Sequence, residues 1–338
     1  MSISWWRNNE GMIRTLFPLF LGQLLSFNLA ISTLTSSFVA NQGVDAPLTL
    51  SFFTYLALAV VYGSILLYRR QKLQVSWYWF VLLGFADVQG NCLVNKAFEF
   101  TSVTSVTILD CWTIPWAMVF TWIFLDTRYS LRQFFGVAVC LSGLGLALLS
   151  DARVGGGGGS RPLLGDVLVI AGTLFCSIST VGQEFFVKKI DRVEVIAMIG
   201  LFGMLVSASE ISIVERKNLN SIKWSTKLIS AFSGYALSSF TFYTSVPFVL
   251  KISGATMLCL SLLTSGMWAV VIRRFIYKEQ VQSLYYLAFA LVVVGVVMYS
   301  KTEKDPDSAR ALENSDLNTE YLLFDEENLV TRNDTSVS

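Results

Sequence analysis

The chain has 338 residues, of which 54% are apolar and 14% aromatic, and only 14% carry charge, against roughly a quarter in an ordinary soluble domain; that balance excludes a soluble globule. The formal charge of +1 is a sum of unlike regions, since residues 1–301 hold 22 Lys/Arg and 14 Asp/Glu while 302–338 hold 3 and 10. Histidine is absent, which removes the usual zinc sites, histidine triads and histidine relays and leaves any proton or ion coupling to Asp, Glu, Lys or Tyr.

The apolar residues form repeated blocks of about twenty, long enough to cross a ~30 Å hydrocarbon layer as helices. Block length and flanking charge predict ten spans, at 14–38, 48–68, 77–98, 102–125, 133–150, 165–187, 194–214, 228–249, 252–275 and 283–300. The first block opens a succession of spans and reads as a true helix, not a signal peptide. Trp77, Tyr78 and Trp79 begin the third span as an interfacial belt. The loops are short except 151–164, where Gly155 to Gly159 and Ser160 have a flexible linker composition. Without the Lys-Ser/Thr of a phosphate loop, that run is a linker and no more.

The linker divides the spans five and five, giving repeats at 1–150 and 165–301 and a polar acidic tail at 302–338. An odd number of helices per half brings the second half in from the opposite side, so the expected fold is an all-α membrane protein of ten helices in two inverted five-helix repeats. An ungapped offset of 152 lays Trp116-Ala117-Met118-Val119 over Trp268-Ala269-Val270-Val271 and Gly143 over Gly295. Arg7, Arg14, Arg69, Arg70, Lys72, Arg128 and Arg132 place both termini in the cytosol, against opposing basic loops at Arg216 to Lys227 and Arg273 to Lys278. Cys92, Cys111, Cys140, Cys176 and Cys259 all fall in apolar blocks, where thiols behave as small hydrophobes and no disulfide is expected.

Polar side chains inside the spans are the candidate site. Asp87, Asn91 and Asn95 recur every four residues on one face of the third span, with Lys96 and Glu99 below. The fourth carries Thr104, Thr107, Asp110 and Cys111 ahead of Pro115, and the sixth carries Thr173, Ser177, Thr180 and Glu184. Ionisable groups at such depth are costly and tend to face a cavity or a partner. One reading is a water-filled pathway in which Asp87, Asp110 and Glu184 bind substrate or protons. The other is that hydroxyls and amides stitch helices together, at about 0.6 kcal/mol per contact. Stitching is the commoner role for the hydroxyls and function the stronger reading for Asp110, deep in its span beside a proline. Glu184, near Lys188 and Lys189, admits both.

Lys96 and Lys251 each precede a run of small polar residues and either bind an anionic or electron-rich substrate or snorkel to the interface. Glu210, with Ser207 on its face, is either a pathway group or a partner for a neighbouring helix. Gly136, Ser142, Gly143, Gly145 and Gly295 allow close helix approach, within the bundle or in a homodimer. In the tail, Tyr321 and Phe324 form a Tyr-x-x-apolar pattern of the kind adaptor proteins read as an extended peptide.

The segment from Asn95-Lys96-Ala97-Phe98-Glu99-Phe100-Thr101-Ser102-Val103-Thr104-Ser105 to Leu109-Asp110-Cys111, with Ser253-Gly254-Ala255-Thr256 through Thr264, resembles the solute carrier 35 branch of the drug/metabolite transporter superfamily, most closely its F-type subgroup. The likeness covers about 12–301 and implies ten helices in two inverted repeats, cytosolic termini and central substrate binding, which adds weight to Lys96, Asp110 and Lys251. The further basic and aromatic positions usual in nucleotide-sugar transporters of this branch are not all present.

The combined expectation is a secondary transporter of a small polar organic solute, such as a nucleoside, nucleobase or nucleotide sugar. It needs no cofactor, binds no nucleic acid, is driven by an ion gradient or exchange, and resides in a Golgi, vacuolar, endosomal or plasma membrane. A receptor or scaffold signalling through the tail is the alternative. A membrane enzyme lacks any nucleophile-base or metal constellation.

Overall fold

The computed structural model describes residues 2–42, 44, 46–70, 74–97, 100, 106, 109–155, 162–215, 225–268, 271–272 and 283–303. Among them all regular structure is helical: α1 (Ser2–Asn41), α2 (Pro47–Arg69), α3 (Trp77–Ala97), α4 (Thr113–Leu125), α5 (Leu131–Gly155), α6 (Pro162–Lys189), α7 (Arg192–Glu210), a π-helical turn (Ile211–Glu215), α8 (Thr226–Leu262) and α9 (Ser283–Glu303). Five segments are long and apolar enough to cross a membrane: Phe17–Ser36, Pro47–Arg69, Leu163–Lys189, Arg192–Glu215 and Thr226–Leu262.

Local chemistry sets the helix ends. Pro47 starts α2, as suits a residue with no N–H to leave unpaired. The buried Glu215 carboxylate accepts the next two N–H groups, Leu48 at 2.7 Å and Thr49 at 2.9 Å, and the Thr49 hydroxyl at 2.6 Å. Asp191 and Ser225 cap α7 and α8 through their side chains. Arg70 and Asp126, both left-handed, close α2 and α4.

The most extensive packing is α5 on α9, α2 on α7, α1 on α8 and α3 on α6. Each pair joins a helix from before the predicted linker to one after it, so the halves interlock. Small residues permit the closest approaches. A Cβ on Gly295 of α9 would sit 2.7 Å from the Gly136 carbonyl oxygen of α5, and one on Gly200 of α7 would sit 2.7 Å from the Ala59 nitrogen of α2. The glycines singled out at 136, 143 and 295 are therefore filled by packing within the chain.

Two apolar cores result. One gathers Leu25, Ile114, Val137, Leu250, Leu258 and Val292; the other gathers Tyr55, Leu58, Phe80, Val187, Val195 and Ile199. Large apolar side chains also face outward, among them Phe20, Leu67, Trp77, Trp122, Leu131 and Leu237, as a lipid-facing surface requires. The Arg69–Asp191 ion pair at 3.0 Å and the Gln74 N–H to Glu194 bond tie one end of the bundle. Val39, Leu50, Leu228 and Phe232 close the opposite end.

Several boundaries differ from expectation. The fourth predicted span is helical at Val106 and at Leu109-Asp110, turns at Cys111-Trp112 and resumes as α4 at Thr113, since Pro115 cannot donate to the Cys111 carbonyl; that carbonyl is taken by the Ile114 N–H at 3.1 Å. The predicted eighth and ninth spans are the two limbs of α8, which divide at Gly254 with φ 74°, a few residues after the expected boundary. Helix also extends into both ends of the predicted 151–164 linker, α5 reaching Gly155 and α6 starting at Pro162. All five cysteines are free thiols.

Candidate functional site

The α3 stripe resolves into a rivet and a crevice. Asp87 is buried, and its carboxylate accepts hydroxyls from Tyr55 of α2 at 2.5 Å, Tyr243 of α8 at 2.8 Å and Ser179 of α6 at 2.8 Å. Gln183 donates to Ser179 at 3.1 Å. Three donors satisfy a charge removed from water, and they pin four helices together. One turn on, the Asn91 amide donates to the Asp87 carbonyl at 2.9 Å and to the Tyr243 hydroxyl oxygen at 3.4 Å. Asn91, Cys92 and Asn95 then line a narrow crevice with Pro47, Leu48 and Ser51 at the start of α2. Lys96 is exposed at the end of α3.

Asp110 is placed differently. Its side chain is exposed, and it stands close enough to Cys176 of α6 and Cys259 of α8 to act on both electrostatically. The Thr113 hydroxyl donates to the Asp110 carbonyl at 2.6 Å, and the Ser177 hydroxyl of α6 donates to the Thr113 carbonyl at 3.0 Å, which fixes the chain on both sides of the turn. Below it Trp112, Trp116 and Phe120 ladder along α4 with ring centroids 6.3 and 6.2 Å apart. The indole N–H of Trp116 is buried without a hydrogen-bond partner among the described residues. Its counterpart at the offset of 152, Trp268, donates to Gln23 at 3.1 Å.

Glu184 lies in α6 facing the break in α8. It is buried; one carboxylate oxygen accepts the Ala255 N–H at 2.6 Å and the other meets Lys188 at 2.5 Å. Beside it the Thr256 and Tyr129 hydroxyls bond at 2.7 Å, and Tyr129 also bonds Thr121. Lys251 is exposed close to this break. Lys96 belongs to the other end of α6, because Val94 packs on Gly172 whereas Leu83 packs on Gly182. The two lysines are not brought together.

Thr107, Tyr321 and Phe324 lie outside the described residues. Among the described residues no three His, Cys, Asp or Glu gather as a metal site. Sequence reasoning missed Tyr55, Ser179 and Tyr243, which are uncharged and scattered over three spans, and Glu215, whose place at a span end reads as interface. The available signal for the tyrosines was their position well inside apolar blocks, where a hydroxyl needs a partner.

A family model described as Solute carrier family 35 matches residues 12–301. The chain belongs to solute carrier family 35. Solute carrier family 35 member F2 of Mus musculus is 34% identical over 302 residues, 86% of this chain and 80% of that protein. Its Xenopus tropicalis namesake is 32% identical over 295 residues, 83% and 75% respectively. A protein of known crystal structure shares the fold, with a TM-score of 0.68 at 17% identity over 84% of this chain and 95% of its own. Family and apolar helices together make this an integral, multi-pass membrane protein and indicate a solute carrier transporter rather than an enzyme.

Proposed function

We propose that the chain is a secondary transporter that moves a small polar organic solute, of nucleoside, nucleobase or nucleotide-sugar character, by alternating access. Two inverted five-helix repeats rock against each other around a central site, with both termini cytosolic, in an endomembrane or the plasma membrane.

The helix pairing supports the repeat. With the second limb of α8 counted as its own helix, exchanging the halves converts the α1–α8 pair into α6–α3 and leaves α2–α7 and α5–α9 unchanged. Residues 152 apart also touch: Asn91 bonds Tyr243, and Cys140 donates to the Val292 carbonyl at 3.5 Å. Contacts between equivalent positions belong near a pseudo-twofold axis.

The observation that carries the transport reading is Asp110, an exposed carboxylate within electrostatic reach of both α6 and the second limb of α8. A carboxylate in an apolar span gives the bundle no stability, so binding a polar solute accounts for it. Asn91, Asn95 and Lys96 extend a polar lining along α3, and the chain has no ATP-binding loop, so a gradient or exchange drives the cycle. Metabolite profiling of cells with and without the protein, followed by proteoliposome uptake of the leading candidates, tests this. Saturable uptake that Asp110→Asn loses supports it; unchanged transport of a confirmed substrate by Asp110→Asn removes the role given to Asp110.

A further inference from the structure

Glu210 ends the regular ladder of α7, and from Ile211 the chain widens into the π-helical turn that reaches Glu215. Such turns recur at functional sites because they re-aim one side chain. The amide of Gln89 on α3 donates to Glu210 Oε1, whereas Glu210 Oε2 is enclosed and has no hydrogen-bond partner among the described residues. One turn back on the same face, the Ser207 hydroxyl is fully enclosed and likewise without a partner.

Among the described residues no cation pairs with Glu210. From α3, Cys92 and Lys96 face this region, and Lys96 is exposed. Glu215 is engaged by the start of α2, and Tyr55 of α2 and Tyr243 of α8 both donate to Asp87. An ionised carboxylate with one oxygen orphaned in an apolar bundle is costly. A hard cation wants six or more oxygens, and among the described residues Glu210, Ser207 and Gln89 are too few to hold one. Adding a proton removes the charge and with it most of that cost.

We propose that Glu210 binds a proton and is the coupling site of the transport cycle, separate from Asp110. The inference rests on the transporter reading. Beside Glu210 runs the crevice of Asn91, Cys92 and Asn95, too narrow here to hold water, of which Cys92 is close enough to Glu210 to feel its charge; the proton is exchanged when this end opens. It is held on Oε2 while this end is closed and returns to water when the end opens.

Two measurements on the full chain test it. Infrared difference spectra of wild type against Glu210→Gln, in nanodiscs at neutral pH, should show the carbonyl band of a protonated carboxylic acid that the variant loses. A difference spectrum without that band overturns the proposal, whatever the protein transports. In proteoliposomes an imposed proton gradient should accelerate wild-type uptake, Glu210→Gln should lose that response, and Glu210→Asp should recover it. A Glu210→Gln variant that responds like wild type overturns the coupling role. Wild type that carries no solute at any gradient overturns the transporter reading instead and leaves the infrared result standing.

Discussion

Glu184 Oε2 accepts the backbone N–H of Ala255 at 2.6 Å, across the break where Gly254 takes φ 74° and ψ 174°. Helix starts leave their first N–H groups unpaired, and here a carboxylate from another helix satisfies one of them. Glu184, which in sequence admitted both a pathway and an interfacial role, is a buried cap on the second limb of α8, with Lys188 as its second contact. Glu184→Ala should lower stability by about 1–3 kcal/mol, the usual cost of orphaning a buried donor. Glu184→Gln, which keeps an acceptor for the N–H, should lose less. Thermal unfolding in detergent ranks the two, and equal losses would show that the cap contributes nothing.

Gly254 itself should not tolerate a side chain. Its backbone lies in a region open essentially to glycine alone, where any other residue costs about 1–3 kcal/mol. A Cβ there would also sit 2.9 Å from Glu184 Oε1. Gly254→Ala should therefore destabilise the protein, and in the Glu184→Ala background it should cost less because the clash is gone. Strictly additive shifts in the unfolding temperature would contradict this coupling.

The Asp87 rivet makes a comparable claim about four helices. Tyr55→Phe and Tyr243→Phe each remove one hydroxyl from the carboxylate and should cost about 1.5–3 kcal/mol, as for hydrogen bonds to a charged group. Because both donors serve the same oxygen, the double variant should depart from the sum of the singles. A double-mutant cycle read by chemical or thermal unfolding checks it.

Much of the helical framework was legible, because hydropathy over about twenty residues reports length and burial in lipid directly. The break at Gly254 was legible to within a few residues, because Lys251 and the small polar run after it separate the spans expected at 228–249 and 252–275. The turn at Cys111-Trp112 was hidden inside an apolar run, with Pro115 the one residue pointing to it. At the site, the carboxylates at 87, 110 and 184 were identifiable because charge in a span is rare. Their partners were not, since Tyr55, Ser179 and Tyr243 lie 32, 92 and 156 residues from Asp87. Periodicity places side chains on a face but cannot say which distant helix that face will meet.

The acidic tail separates transport from signalling. Removal of residues 302–338 should leave uptake by the purified protein unchanged and alter its distribution among membranes, with Tyr321→Ala reproducing the redistribution. Loss of all function on truncation, with the remaining chain correctly inserted, would favour the receptor reading instead.

Counterflow tests the central claim most directly. Proteoliposomes loaded with unlabelled substrate should take up labelled substrate faster than empty ones, because an alternating-access carrier returns more quickly when loaded, and Asp110→Asn should abolish that acceleration. Uptake that is linear, non-saturable and indifferent to internal substrate would contradict the account.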